Sequence, residues 1–158
     1  MITEIQRKIE ALAGEYHRLI LIAGSSGSGK TTLLRHLGEE TGTEILNVNL
    51  ECSKALLELT RKQRMHKGAM LLEGIIASRY ATNETVLLDN TEILFGTDLK
   101  IDPLKFLQQL SRERCIVATW SGTIENGTLV YAHPDHREYR AYDMDGLTVF
   151  CPDGNLTE

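Results

Sequence analysis

Leu21 to Leu37 reads LIAGSSGSGKTTLLRHL, an apolar run, then six small residues and a lysine, then a leucine-rich run. The spacing Gly24-x-x-x-x-Gly29-Lys30-Thr31 is the phosphate-binding P-loop pattern. A loop of this kind offers consecutive backbone N–H groups to a polyphosphate, helped by the positive N-terminal end of the helix after it. Gly24, Gly27 and Gly29 permit angles and a close approach that a Cβ would obstruct. In this pattern Lys30 reaches the β- and γ-phosphates and the Thr31 hydroxyl ligates Mg²⁺; Thr32, the next helix residue, is a candidate contact to the α-phosphate. The expected ATP-binding segment is therefore Gly24, Ser25, Ser26, Gly27, Ser28, Gly29, Lys30, Thr31 and Thr32.

The flanks agree with that reading. Leu19 to Ala23 is a continuous apolar run, as in a parallel strand covered on both faces. Leu33, Leu34 and Leu37 pattern a short helix ending near Gly38. A second acid should hold the magnesium from the end of a neighbouring buried strand. TVLLD, Thr85 to Asp89, supplies it, so Thr31 and Asp89 are the expected metal ligands. Hydrolysis needs a further group to orient or deprotonate water. Asn90 succeeds Asp89 where many P-loop ATPases carry glutamate, and an amide is no base. Glu92 is the first candidate if the chain turns after Asp89; Glu51, past the second strand, is the other. Thr119 or Ser121, at the end of the strand Cys115 to Trp120, is placed to sense the γ-phosphate, as a polar residue there does in AAA+ and RecA ATPases.

Elsewhere the pattern is plainer. Ile5, Ile9, Leu12 and Tyr16 predict an amphipathic helix within residues 1–17, with Thr3 and Gln6 as its capping box. Glu44 to Leu50 reads as a strand, Ser53 as the cap of a helix through Leu59, and Ala69 to Tyr80 as another helix. Asp102-Pro103 opens a helix carrying Leu104, Leu107 and Leu110. From residue 121 to 158 the pattern turns β-rich, with hairpin signals at Asn126-Gly127 and Asp145-Gly146. These elements predict a single α/β domain of three α/β/α layers, with a mostly parallel sheet, a β-hairpin-rich end and no separate lid.

Composition is that of an ordinary soluble globular chain, 158 residues with 42% hydrophobic and 25% charged residues. The net charge of −5 argues against wholesale nucleic-acid binding. A local patch does exist: Arg61, Lys62, Arg64 and Lys67 fall in RKQRMHK, read as a helix–helix connection or as a salt-sensitive DNA contact. Arg112, Arg114, Arg137 and Arg140 flank the fourth strand as candidate arginine fingers for a homo-oligomer. His133-Pro134-Asp135-His136 has no distant ligand pair and reads as structural. Three widely spaced cysteines, no signal-peptide layout and no membrane-length apolar run suggest the cytoplasm.

Beyond the glycine loop, the stretches LLDNTEILF, IDPLKFLQQLSR and TWSGTIENGTLVYAHPDHREY carry a likeness over most of the chain. It resembles the BrxF family, the small P-loop proteins of type III BREX phage-defence systems. The resemblance implies a bacterial cytoplasmic ATP-binding component of a multi-protein system that distinguishes phage from host DNA. The expected function is a Mg²⁺-dependent ATPase of the AAA+-like or RecA-like branch, driving assembly or remodelling with other phage-defence proteins. A slow or non-hydrolysing nucleotide switch is the alternative. A small-molecule kinase comes third, because RKQRMHK lies before Asp89, where a lid is not expected.

Overall fold

The computed structural model describes residues 1–96, 99–131 and 139–152. Its elements are α1 (Ile2–Ala11), β1 (Leu19–Gly24), α2 (Lys30–Thr41), β2 (Ile45–Asn47), α3 (Val48–Leu56), α4 (Arg61–Arg79), β3 (Val86–Asp89), a 3₁₀ turn (Thr91–Phe95), α5 (Pro103–Leu110), β4 (Ile116–Glu125), β5 (Thr128–Tyr131), β6 (Arg140–Asp143) and β7 (Thr148–Phe150).

Five strands pair in parallel in the order β2-β3-β4-β1-β7. Side chains alternate across a strand, so each strand feeds two cores. Ile20 and Ile22 of β1, Leu87 and Val117 pack with Ile5, Leu34 and Leu37 of α1 and α2. Leu19, Leu21 and Ala23 turn the other way and join Val48, Cys52, Leu72, Ile76 and Leu107 of α3, α4 and α5. Helices thus cover both faces, compatible with a three-layer α/β/α fold. All six residues of β1 are buried, as its unbroken apolar run requires.

β4 plays two parts. Its first half pairs in parallel with β1 and β3; from Gly122 it turns antiparallel to β5, which pairs β6. Asn126 and Gly127 close this hairpin with φ of 52° and 75°, the positive pair that a tight two-residue turn needs. Trp120 is wholly buried beneath the arm, edge-on to Phe95, Tyr131 and Tyr142, while Phe95 and Tyr131 stack. Its indole N–H donates to the Val130 carbonyl at 3.1 Å.

Several elements depart from expectation. The expected helix of residues 1–17 spans Ile2–Ala11, with Met1 rather than Thr3 at its cap. Tyr16 lies outside it, exposed, with the Arg112 guanidinium 4.5 Å from its ring centroid. The strand expected over Glu44–Leu50 stops at Asn47, whose side chain accepts from Leu50 N–H and starts α3 at once. Ser53 is therefore inside a helix and caps nothing. α4 opens at Arg61 on a Thr60–Gln63 capping box, so RKQRMHK is helix and not a connection. α2 runs past Gly38 to a left-handed Gly42. Gly146 has positive φ, yet β7 does not return against β6; it adds in parallel to β1.

A Cβ on Gly122 would lie 1.8 Å from the Val130 carbonyl oxygen and 2.9 Å from Trp120 Nε1. Neither neighbour is a flexible side-chain end. Gly122→Ala should therefore destabilise the protein by about 1–3 kcal/mol, the usual cost of overpacking. A lower urea midpoint with an unchanged slope is the expected result.

Candidate functional site

Parallel pairing puts the carboxyl ends of β1, β3 and β4 at one edge of the sheet, the place where open α/β sheets bind ligands. β4 lies between β1 and β3, and its register sets Ile22 beside Thr119 and Gly24 beside Ser121. Thr119 is therefore carried in between the glycine loop and Asp89.

The loop owes its shape to its glycines. Gly27 and Gly29 adopt φ of 80° and 98°, left-handed values that disfavour any side chain. Gly24 is needed for space: a Cβ there would sit 2.2 Å from Ser28 Oγ. Ser28 N–H donates to the Ser25 carbonyl at 3.1 Å and closes the turn. Ser25, Ser26 and Gly27 face solvent, as do Thr31 and Thr32 on the first turn of α2, while Lys30 is buried.

Lys30 Nζ donates to the Ser25 carbonyl at 2.9 Å, across the loop. Burial lowers its pKa below the ordinary value and outweighs the Glu92 and Asp89 carboxylates, which act in the opposite direction. A cation held this way, beside the exposed residues Ser25, Ser26 and Gly27, suits a multiply charged anion.

Asp89 is buried at the end of β3. Its Oδ1 accepts from Thr119 Oγ1 at 2.9 Å, Asn90 N–H at 2.9 Å and Thr31 Oγ1 at 3.3 Å. Thr119 is thus directed at the carboxylate. The Thr31 hydroxyl and the carboxylate are hard oxygen donors of the kind Mg²⁺ takes, with substrate phosphates supplying further ligands. No group of three or more His, Cys, Asp or Glu gathers among the described residues, and a Mg²⁺–nucleotide site does not require one.

Past Asp89 the chain does turn. Asn90 adopts φ 53°, ψ 58°, and the Thr91–Phe95 turn brings Glu92 back toward Lys30. Ser121 Oγ donates to Glu92 Oε1 at 3.1 Å. Glu92 Oε2 and Ser28 Oγ are buried without a hydrogen-bond partner among the described residues. Buried polar atoms are seldom left so, and both lie at this site. Glu51 is engaged elsewhere: Arg79 Nη2 donates to its Oε1 at 2.5 Å and Lys54 Nζ lies 3.8 Å from Oε2.

Asn49 is the residue that sequence reading missed. Its N–H donates to the Asn90 carbonyl at 3.0 Å, and its Oδ1 accepts from Ile93 N–H at 2.9 Å. Two bonds therefore tie the start of α3 to the turn that carries Glu92. The register of Asn47 beside Asp89, two residues upstream, is the signal that brings it there.

The basic residues Arg61, Lys62, Arg64 and Lys67 ride the first two turns of α4. Lys62 and Lys67 are exposed, while Arg64 Nε donates to the Leu56 carbonyl at 3.2 Å. Arg114 donates to the carbonyls of Tyr80 and Ala81, and Arg140 is exposed on β6. Arg137 and the stretch His133-Pro134-Asp135-His136 lie outside the described residues. No helix among the described residues is long and apolar enough to cross a membrane.

No protein-family model matches the chain, and no curated protein matches it in sequence.

Removing the Asn49 acceptor leaves Ile93 N–H without its partner. Asn49→Ala should cost about 1–3 kcal/mol of stability, the penalty for orphaning a partly buried amide. Amide exchange at Ile93 should accelerate more than exchange in β1, which separates local loosening from global unfolding.

Proposed function

We propose that the chain is a P-loop NTPase of the AAA+-like or RecA-like branch that binds Mg²⁺–ATP in the Gly24–Thr32 loop and hydrolyses it. The observation that carries this reading is the convergence of Lys30, Thr31, Asp89, Thr119 and Glu92 at one sheet edge. The loop's backbone N–H groups and Lys30 hold the β- and γ-phosphates. Thr31 and Asp89 would hold Mg²⁺, which when bound neutralises charge on the phosphates. Thr119 fixes the Asp89 carboxylate. Glu92 orients water and takes its proton as the water oxygen bonds the γ-phosphorus. The bond from that phosphorus to the β-phosphate oxygen breaks, ADP leaves with the electron pair, and the proton passes on to solvent.

In the wider setting implied by the BrxF likeness, this is a cytoplasmic component of a bacterial BREX phage-defence system. ATP turnover there would drive assembly or remodelling with other defence proteins and further copies of the chain. The exposed cations at the start of α4 support a salt-sensitive contact with DNA phosphates. A slow nucleotide switch is the second reading, favoured by an amide side chain, Asn90, directly after Asp89.

Lys30→Ala should weaken ATP binding by about tenfold or more, the loss expected for a charge-assisted contact. Calorimetric titration checks it, and unchanged affinity would remove the P-loop assignment. Glu92→Gln should lower kcat by about 10²-fold or more with ATP binding retained. Normal turnover in Glu92→Gln alongside a loss in Glu51→Gln would move the base to Glu51. An inactive wild type that gains turnover as Asn90→Glu would establish the switch.

A further inference from the structure

The two oxygens of Glu92 differ in their surroundings. Oε1 accepts from Ser121 Oγ at 3.1 Å; Oε2 is buried with no partner among the described residues. A carboxylate held by one oxygen has a fixed direction for the other, and an unsatisfied buried oxygen is costly unless something comes to occupy it.

Ser121 has little freedom of its own. It stands beside Gly24, at the irregular step where β4 leaves β1 for the antiparallel arm. On one side Trp120 is locked to the Val130 carbonyl. On the other, Gly122 admits that same carbonyl within a distance no side chain would allow. The hydroxyl that meets Glu92 is thereby set by the packing of the arm.

We propose that Ser121 is a positioning residue for Glu92. It pins Oε1 so that Oε2 faces the γ-phosphate end of a bound nucleoside triphosphate and the water that attacks it, and the β4–β5 arm sets the bond. This inference rests on the ATPase reading above. It does not make Ser121 a nucleotide contact.

Steady-state hydrolysis and calorimetric ATP binding, measured on the full chain, test it together. Ser121→Ala should lower kcat by about 10- to 100-fold, the scale of one hydrogen bond to a charged group, while KM and the calorimetric Kd hold. Ser121→Thr, which keeps the hydroxyl, should restore most of the rate. The double variant Ser121→Ala/Glu92→Gln should be no slower than Glu92→Gln alone, because a positioning bond has no value once the base is gone. Normal kcat in Ser121→Ala, beside an active wild type, would overturn the role and leave the ATPase reading intact. So would weakened ATP binding with kcat preserved, which would make Ser121 a ligand contact. A wild type that binds ATP without turnover, or binds none, would overturn the ATPase reading itself and the positioning role with it.

Discussion

The site depends on one carboxylate oxygen. Asp89 Oδ1 accepts from Thr119 at the end of β4, from Thr31 on α2 and from Asn90 N–H, so three chain segments are fixed relative to one another by a single atom. A buried charge is tolerable only when well paired or hydrogen-bonded, and these donors meet that demand. They can converge because β4 lies between the strand of the loop and the strand of the acid. Were β3 directly beside β1, Thr119 would have no place between them.

The same atom also orders the next stretch of chain. With Asn90 N–H bound back to Asp89, the backbone enters a left-handed residue and then the Thr91–Phe95 turn. Asn49 grips that turn from α3, and Phe95 plugs it into the aromatic cluster around Trp120. The turn that carries Glu92 is thus held by its bonds to Asp89 and Asn49 and by the packing of Phe95, and Glu92 itself by Ser121. Such support restricts a side chain to a narrow range of directions.

What the sequence made legible was local. The glycine loop, the run ending in Asp89, the Asp102-Pro103 cap and the Asn126-Gly127 turn each carry their cause within a few residues. Val48 misled, because a β-branched residue after Ile45 and Leu46 extends a strand pattern, while the Asn47 side chain diverts the backbone into a helix. The Thr60–Gln63 box was written in the chain, yet a basic run after it disguised a helix start, where cations oppose the helix dipole. β7 was recognisable as a strand but not as a partner of β1, since hairpin chemistry at Asp145-Gly146 says nothing of pairing across the sheet. Nor does any local pattern tie Asn49 to Ile93 or Ser121 to Glu92. Those contacts exist only after the sheet is assembled.

The pairing of β1 also carries a temporal consequence. This strand lies early in the chain, but its neighbours begin at Ile116 and Thr148. During ribosomal synthesis it must wait for both, and closing such long loops is slow relative to forming local helices. Leu19 to Gly24 is meanwhile a wholly apolar ribbon with both edges unpaired, the sort of segment that nascent chains keep shielded. A glycine loop whose strand pairs only with segments made much later is thus among the later features to be completed.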